Sequence, residues 1–444
     1  MSFFDKIFQF GSPKETQPDI PFGRYSDTYR SQARYDAWDR AVELFEKEER
    51  MEAYRQFLAY LRDEQQDNVA WREEDGSLHF EIWQGSRVVR GTANAETVKA
   101  TSRIARADVT NVGFMRRLME YNFSLKYSRF GLSPDNVITI LFDTSTTDGS
   151  PLKLFNALKE MAVHADKQDD LLLDEFRMLQ TVEPLSGNEI PEAEKEVKYG
   201  YIQHEIKKAF DEMDKGKPDP NQYPGGYAYM FLYLAYKLDY LVKPEGFMMD
   251  ALEKIHRAYF ASSAEEKSTQ LKNIAFRKEF QKLLDRPKEE FFKEMYRTRS
   301  TFGITTPVGH EKLAALIEGE LPNMDWYKDN NHIVLALGIP GYIVGYALFN
   351  YALPKPDREF LHLYLQIMEA GYFRDLGFKL GHYDAAGKPD KRAILRSIRA
   401  VAERNRAQYP KVNPDTSNLD FGSPVLFAKG YLEMVKNLDM TKAD

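Results

Sequence analysis

Apolar residues change their spacing twice along the chain. From Ser31 to about Gln66, Trp38, Val42 and Phe45, then Met51, Tyr54, Phe57, Leu58 and Leu61, recur at steps of three and four, the period of an amphipathic helix. The period then falls to two. Val69 and Trp71 alternate with polar residues, Asp75-Gly76 supplies a hairpin turn, and Leu78, Phe80 and Ile82 alternate with His79, Glu81 and Trp83. Gly85-Ser86 leads into a third strand over 87–92, and 98–105 reads as a fourth. A helix follows over 114–122, with Leu118 and Tyr121 inward. A second hairpin joins 124–133 to 137–144 through Ser133-Pro134-Asp135-Asn136. Pro151 suits the first position of a long helix that runs to about Leu179.

Beyond the connector Glu183-Pro184-Leu185-Ser186-Gly187-Asn188-Glu189-Ile190-Pro191 the period is helical again. Helices are predicted at 193–215, 226–242, 247–260, 263–284, 288–298, 309–318, 356–376, 388–408 and 424–438. The 21 residues from Ile333 to Leu353 carry no charge and are long enough to span a bilayer. Gly338-Ile339-Pro340-Gly341 interrupts the run, and Tyr342 and Tyr346 sit inside it rather than at its ends. We therefore predict two buried core segments meeting at that break. The organisation predicted is an N-terminal segment and linker over 1–24, an α+β domain over 25–182 with an antiparallel sheet and helices on one face, a linker over 183–192, and an all-helical domain over 193–444. Strand 137–142 is apolar on both faces, which calls for cover on both sides.

The order helix, strands, helix, two strands, helix is most specific between Met115 and Asp143. There a helix ends in an Asn-aromatic pair, Asn122-Phe123. A strand with Tyr127 and Phe130, a Pro-Asp-Asn turn and an apolar strand follow. This stretch resembles the YbjN family and the type III secretion chaperones, over about residues 31–180. The resemblance implies a domain that binds proteins or self-associates and that carries no chemistry of its own. Secretion chaperones stand alone, whereas this chain continues for some 250 further residues.

Composition narrows the function classes. The 444 residues contain no cysteine, which excludes a disulfide framework, thiolate zinc sites and cysteine nucleophiles and fits a reducing, cytoplasmic setting. A net charge of −7 argues against a dedicated nucleic-acid binder. Aromatic residues make up 13% of the chain, suited to thick helical cores or to contact surfaces. The start of the chain lacks the basic and small-residue flanks of a secretory signal. Phe3, Phe4, Ile7 and Phe8 instead fall on one helical face, suited to weak contact with a membrane surface or a partner.

No two of the eight histidines lie within five residues, and His204-Glu205 and His310-Glu311 lack the second histidine of a zinc-protease motif. The stretch Gly381 to Lys388 has the wrong spacing for a phosphate loop, and Pro389 stands where Ser or Thr is needed. No catalytic, cofactor or metal site is therefore predicted. The candidate partner-binding residues are His79, Trp83, Arg87 and Arg90 on the sheet, and Arg392, Arg396 and Arg399 on one helical stripe, where cations meet an acidic partner or a charged surface. The expected function is a non-catalytic, protein-binding adaptor or chaperone-like protein working through the sheet domain. The alternatives are a structural subunit of a membrane-apposed assembly and an enzyme with a dispersed site in the helical region.

Overall fold

The computed structural model describes residues 17–444, apart from 27–29, 65, 109–110, 177, 183–188, 261–267, 385 and 444. The Phe-rich face of residues 3–8 lies outside the described residues, as does most of the 183–191 connector.

The N-terminal half holds helices α1 (Gln32–Glu46) and α2 (Arg50–Leu61), then strands β1 (Val69–Glu74), β2 (Ser77–Gln84), β3 (Arg87–Ala93) and β4 (Thr97–Arg106). Helix α3 (Val112–Ser124), strands β5 (Arg129–Leu132) and β6 (Val137–Ser145), helix α4 (Pro151–Glu175) and a two-residue strand β7 (Gln180–Thr181) complete it. The strands form one antiparallel sheet in the order β1-β2-β3-β4-β6-β5, with β7 pairing on β4.

Alternation in the sequence becomes alternation in burial. Along β2, Leu78, Phe80 and Ile82 are buried while His79, Glu81 and Trp83 are half-buried on the other face. Register carries the apolar face across the sheet: Phe80 stands opposite Trp71 and Gly91, and Ala100 opposite Gly91 and Phe142. A Cβ on Gly91 would lie 2.1 Å from the Phe80 ring, so the ring needs glycine there. Helix α4 closes this face with Leu154, Leu158, Met161 and Ala165, and α2 adds Tyr54, Phe57, Leu58 and Leu61. Pro151 opens α4, as the sequence predicts, and the Ser150 side chain caps it by accepting from Lys153 N. On β6, Val137, Ile138, Ile140 and Phe142 are buried, whereas Leu141 is half-buried on the outer face beside Gly131.

The C-terminal part is helical: α5 (Glu192–Lys215), α6 (Pro224–Val242), α7 (Gly246–Phe260), α8 (Thr269–Asp285), α9 (Lys288–Lys293), α10 (His310–Glu320), α11 (Met324–Asp329), α12 (Ile333–Asn350), α13 (Lys355–Met368), α14 (Ala370–Asp375), α15 (Lys391–Asn405) and α16 (Pro424–Lys436). Its only strands among the described residues are β8 (Thr306–Pro307) and β9 (Tyr351–Ala352), a short parallel pair.

The expected break at Gly338-Ile339-Pro340-Gly341 is absent. One helix, α12, runs through Pro340. Proline forfeits one backbone hydrogen bond, but packing offsets the loss. Helix α12 lies parallel to α6, with Gly338 against the Met230 backbone, Gly341 against the Tyr233 ring and Gly345 against Tyr236 Cβ. Glycines at that spacing let the two backbones approach. Among the described residues α12 is the one helix long and apolar enough to cross a membrane, and 67% of it is buried in the protein. The helix predicted over 356–376 is two helices, divided at Glu369.

Two extended segments bind the halves together. Residues 17–24, part of the proline-rich stretch near the start, lie along the helical part. Gly23 N–H donates to the Tyr240 carbonyl at 2.8 Å, and the Phe22 ring stacks on Tyr240 and packs at a tilt against His362, Phe373 and Phe378. In return, residues 298–302 of the helical part cross to the sheet. Phe302 enters the sheet-domain core beside Phe155.

Candidate protein-binding surface

The outer face of the sheet carries His79, Glu81 and Arg90, with Arg72 and Lys99 beside them, in a shallow concavity. Its charges are largely matched. Arg90 Nε donates to Glu81 at 3.0 Å, and Arg129 pairs with Asp143 at 2.5 Å. Such exposed pairs contribute little to stability and leave a balanced, solvated surface.

Trp83 lies on the same face but is already covered. The Arg299 guanidinium sits 4.7 Å from its ring, and its backbone carbonyl accepts from Thr301 Oγ1 at 2.8 Å. Arg87 is buried, 4% exposed. The predicted sheet residues therefore divide: His79 and Arg90 face the open side, while Trp83 and Arg87 belong to the packed end of the sheet.

At that end the sheet domain grips an extended segment of the same chain. Asn68, fully buried, donates to Thr301 Oγ1 at 3.0 Å and accepts from Asp63 N at 2.6 Å. Gln84 Oε1 accepts from the backbone N–H groups of Thr301 and Phe302 at 3.1 and 2.9 Å. Gly85 N–H donates to the Arg299 carbonyl. Neither Asn68 nor Gln84 stands out in the sequence, because their partners lie more than 200 positions away.

Arg392, Arg396 and Arg399 are exposed along one stripe of α15, as the sequence predicts, opposite the buried Ile394, Ile398 and Val401. They lie in a different part of the chain from His79 and Arg90, on an element of the helical part.

Helix α3 shows the least expected surface. Asn111 caps it, accepting from Gly113 N at 2.6 Å. Phe114 and Leu118 are buried, with Phe114 edge-on to Phe176 and Tyr121 against Phe130. Asn122 fixes β5 by accepting from Phe130 N at 2.6 Å and donating to Phe130 O at 3.1 Å. The following turn is held by Glu160, whose carboxylate accepts from the backbone N–H groups of Lys126, Tyr127 and Ser128. Burial alone would raise the Glu160 pKa, but these N–H groups and the Ser128 hydroxyl hold it below the usual carboxylate range.

The helix is thus firmly seated, yet its far side is apolar and open. Val112 is 85% exposed, Met119 70% and Phe123 96%. With Met115 they form a ridge at steps of three and four, flanked by Arg116 and Glu120. The Asn122-Phe123 pair splits in role: the asparagine builds the fold, and the phenylalanine faces solvent.

Among the described residues no three metal-ligating side chains come together. The pair closest to a catalytic dyad is His310 and Asp357, at 2.9 Å, but the other ring nitrogen of His310 lies 3.2 Å from the Lys436 carbonyl. With both nitrogens engaged, the imidazole ties α10, α13 and α16 together. Lys237 is similarly enclosed, donating to Glu205 and Glu369 at 2.6 and 2.9 Å, while Tyr201 and Tyr233 donate to Glu369. Neither a protein-family model nor a curated protein matches the chain.

Proposed function

We propose that the protein is a non-catalytic, protein-binding adaptor or chaperone-like component that works through its sheet-bearing N-terminal half. The observation that carries this reading is the α3 ridge: three large apolar side chains, each at least 70% exposed, on a helix anchored by its other face. A contiguous exposed apolar patch on a stable element marks an interaction site. The sequence resemblance to the YbjN family and the secretion chaperones points the same way, and the antiparallel sheet with helices packed on it gives the ridge a rigid support. In the same half, Gln84 holds an extended segment through the backbone N–H groups of Thr301 and Phe302, and Asn68 through the Ser300 carbonyl and the Thr301 hydroxyl, a mode of contact suited to binding polypeptide.

The test is a comparison of three full-length baits in extract of the native host: wild type, Met119→Glu/Phe123→Glu, and His79→Ala/Arg90→Glu. The expected result is that chains retained by wild type, whether further copies of this protein or others, are lost with the ridge variant and kept with the outer-face variant. Equal retention by all three would remove the ridge as the binding surface.

A further inference from the structure

We infer that the cleft between α13, α14 and the loop that follows α14 binds a small organic acid, a carboxylate attached to an apolar body. The cleft lies in the helical part and is independent of the α3 surface.

The cleft encloses 740 Å³, within the range of small-molecule sites. Ile367 and Met368 at the end of α13, with Phe378 and Leu380 from the loop, give it an apolar wall. Its depth follows from burial. Ile367 is 2% exposed and His382 3%, whereas Arg374, Lys379 and Tyr383 are exposed at the rim. The loop is held in shape by the protein itself. Gln17 of the N-terminal segment accepts from Lys379 N at 3.1 Å, and Asp384 accepts from Ala386 N and Lys388 N, both at 2.9 Å. Gly381 and Gly387 have positive φ, 66° and 74°, so the glycines of the Gly381–Lys388 stretch serve the turns of this loop.

Two features select an anion. The first is the charge of the rim. Arg374 and Lys379 line the cleft with one acid, Asp384, whose carboxylate already holds the loop backbone. Arg374 meets Asp375 at 3.3 Å, but these side chains are 77% and 57% exposed, and a pair so open to water is weak. A guanidinium offers the planar donor fork that a carboxylate fits.

The second feature is His382, whose ring lines the cleft. Its Nε2 lies 3.0 Å from Ser397 Oγ on α15, while its buried Nδ1 has no hydrogen-bond partner among the described residues. Burial lowers the His382 pKa; the Gln366 carbonyl raises it but makes no hydrogen bond of ordinary geometry with Nδ1. With the Ser397 hydroxyl donating to Nε2, the neutral ring carries its proton on Nδ1. A buried N–H without an acceptor is costly, and a ligand oxygen in the cleft removes that cost.

Calorimetric titration of the full-length protein with octanoate, and with octanol as its uncharged counterpart, tests the site. Octanoate is expected to bind saturably, and octanol at least about tenfold more weakly, the worth of one charge-assisted hydrogen bond. Arg374→Ala/Lys379→Ala is expected to erase that difference without moving the melting temperature, since both side chains are exposed. His382→Phe is expected to weaken octanoate by about tenfold, and Leu380→Trp, which fills the cleft, to abolish binding of both. Met119→Glu/Phe123→Glu is expected to bind octanoate as wild type does. Absence of saturable octanoate binding, equal binding of octanoate and octanol, or binding that survives the rim and Leu380 changes would overturn the site. None of these results bears on the bait comparison of the α3 surface.

Discussion

Two phenylalanines illustrate how little residue type alone reveals. Phe302 is 1% exposed and sits in the sheet-domain core, although it belongs to a segment that follows α9. Phe123 is 96% exposed although its helix is well anchored. Phe302→Ala is expected to lower stability by about 3–5 kcal/mol, the range for a buried aromatic. Phe123→Ala is expected to change monomer stability by no more than about 0.5 kcal/mol. Urea unfolding of both variants checks the contrast. Asn68→Ala is a second test in the same assay. It strands the Asp63 N–H and removes a donor to Thr301 Oγ1, with an expected loss of about 3 kcal/mol.

At the scale of elements, the period-two stretch over 69–105 was legible because each side chain's face follows directly from its parity, and the burial of β2 repeats that parity residue by residue. Helix α3 was legible in existence but not in function. A boundary drawn at 114–122 leaves out Val112 and Phe123, the two most exposed members of the ridge, and so hides the second apolar face. Helix α12 was misread because local propensity counts Gly-Ile-Pro-Gly as a break. The decisive fact is its fit against α6, which no local pattern encodes. That fit can be tested. Alanine is the better helix former than glycine by up to about 1 kcal/mol, yet a Cβ at Gly345 would stand 2.7 Å from Tyr236 Cβ. Gly345→Ala is expected to destabilise the protein by about 1–3 kcal/mol, because overpacking outweighs propensity. An unchanged or raised urea midpoint would contradict the close α6–α12 contact.

At the scale of the molecule, the halves meet through charges that composition could not place. Arg24 donates to Asp239 at 2.8 and 3.0 Å and to Glu253 at 3.2 Å, and Lys167 of α4 donates to the same Glu253 at 2.8 Å. Burial opposes the charge on Glu253, but Arg24 and then Lys167 outweigh it and hold its carboxyl down to about 2. The unfolded value is about 4.3, so the folded state binds fewer protons between these values. The stabilisation is present above the unfolded pKa and is lost as pH falls from about 5 toward 2; it amounts to about 3 kcal/mol. Glu253→Gln is expected to remove it at neutral pH and to flatten the acid limb of stability against pH.

The central claim is that the open side of α3 is covered when the protein is at work. The chain has no cysteine, so Val112→Cys gives a single labelling site at one end of the ridge for a polarity-sensitive fluorophore. Adding extract of the native host to the labelled chain is expected to move the emission to the blue, while the same label on a chain that also carries Phe123→Glu is expected to stay unchanged. An emission that keeps its solvent-exposed position in host extract would contradict the account.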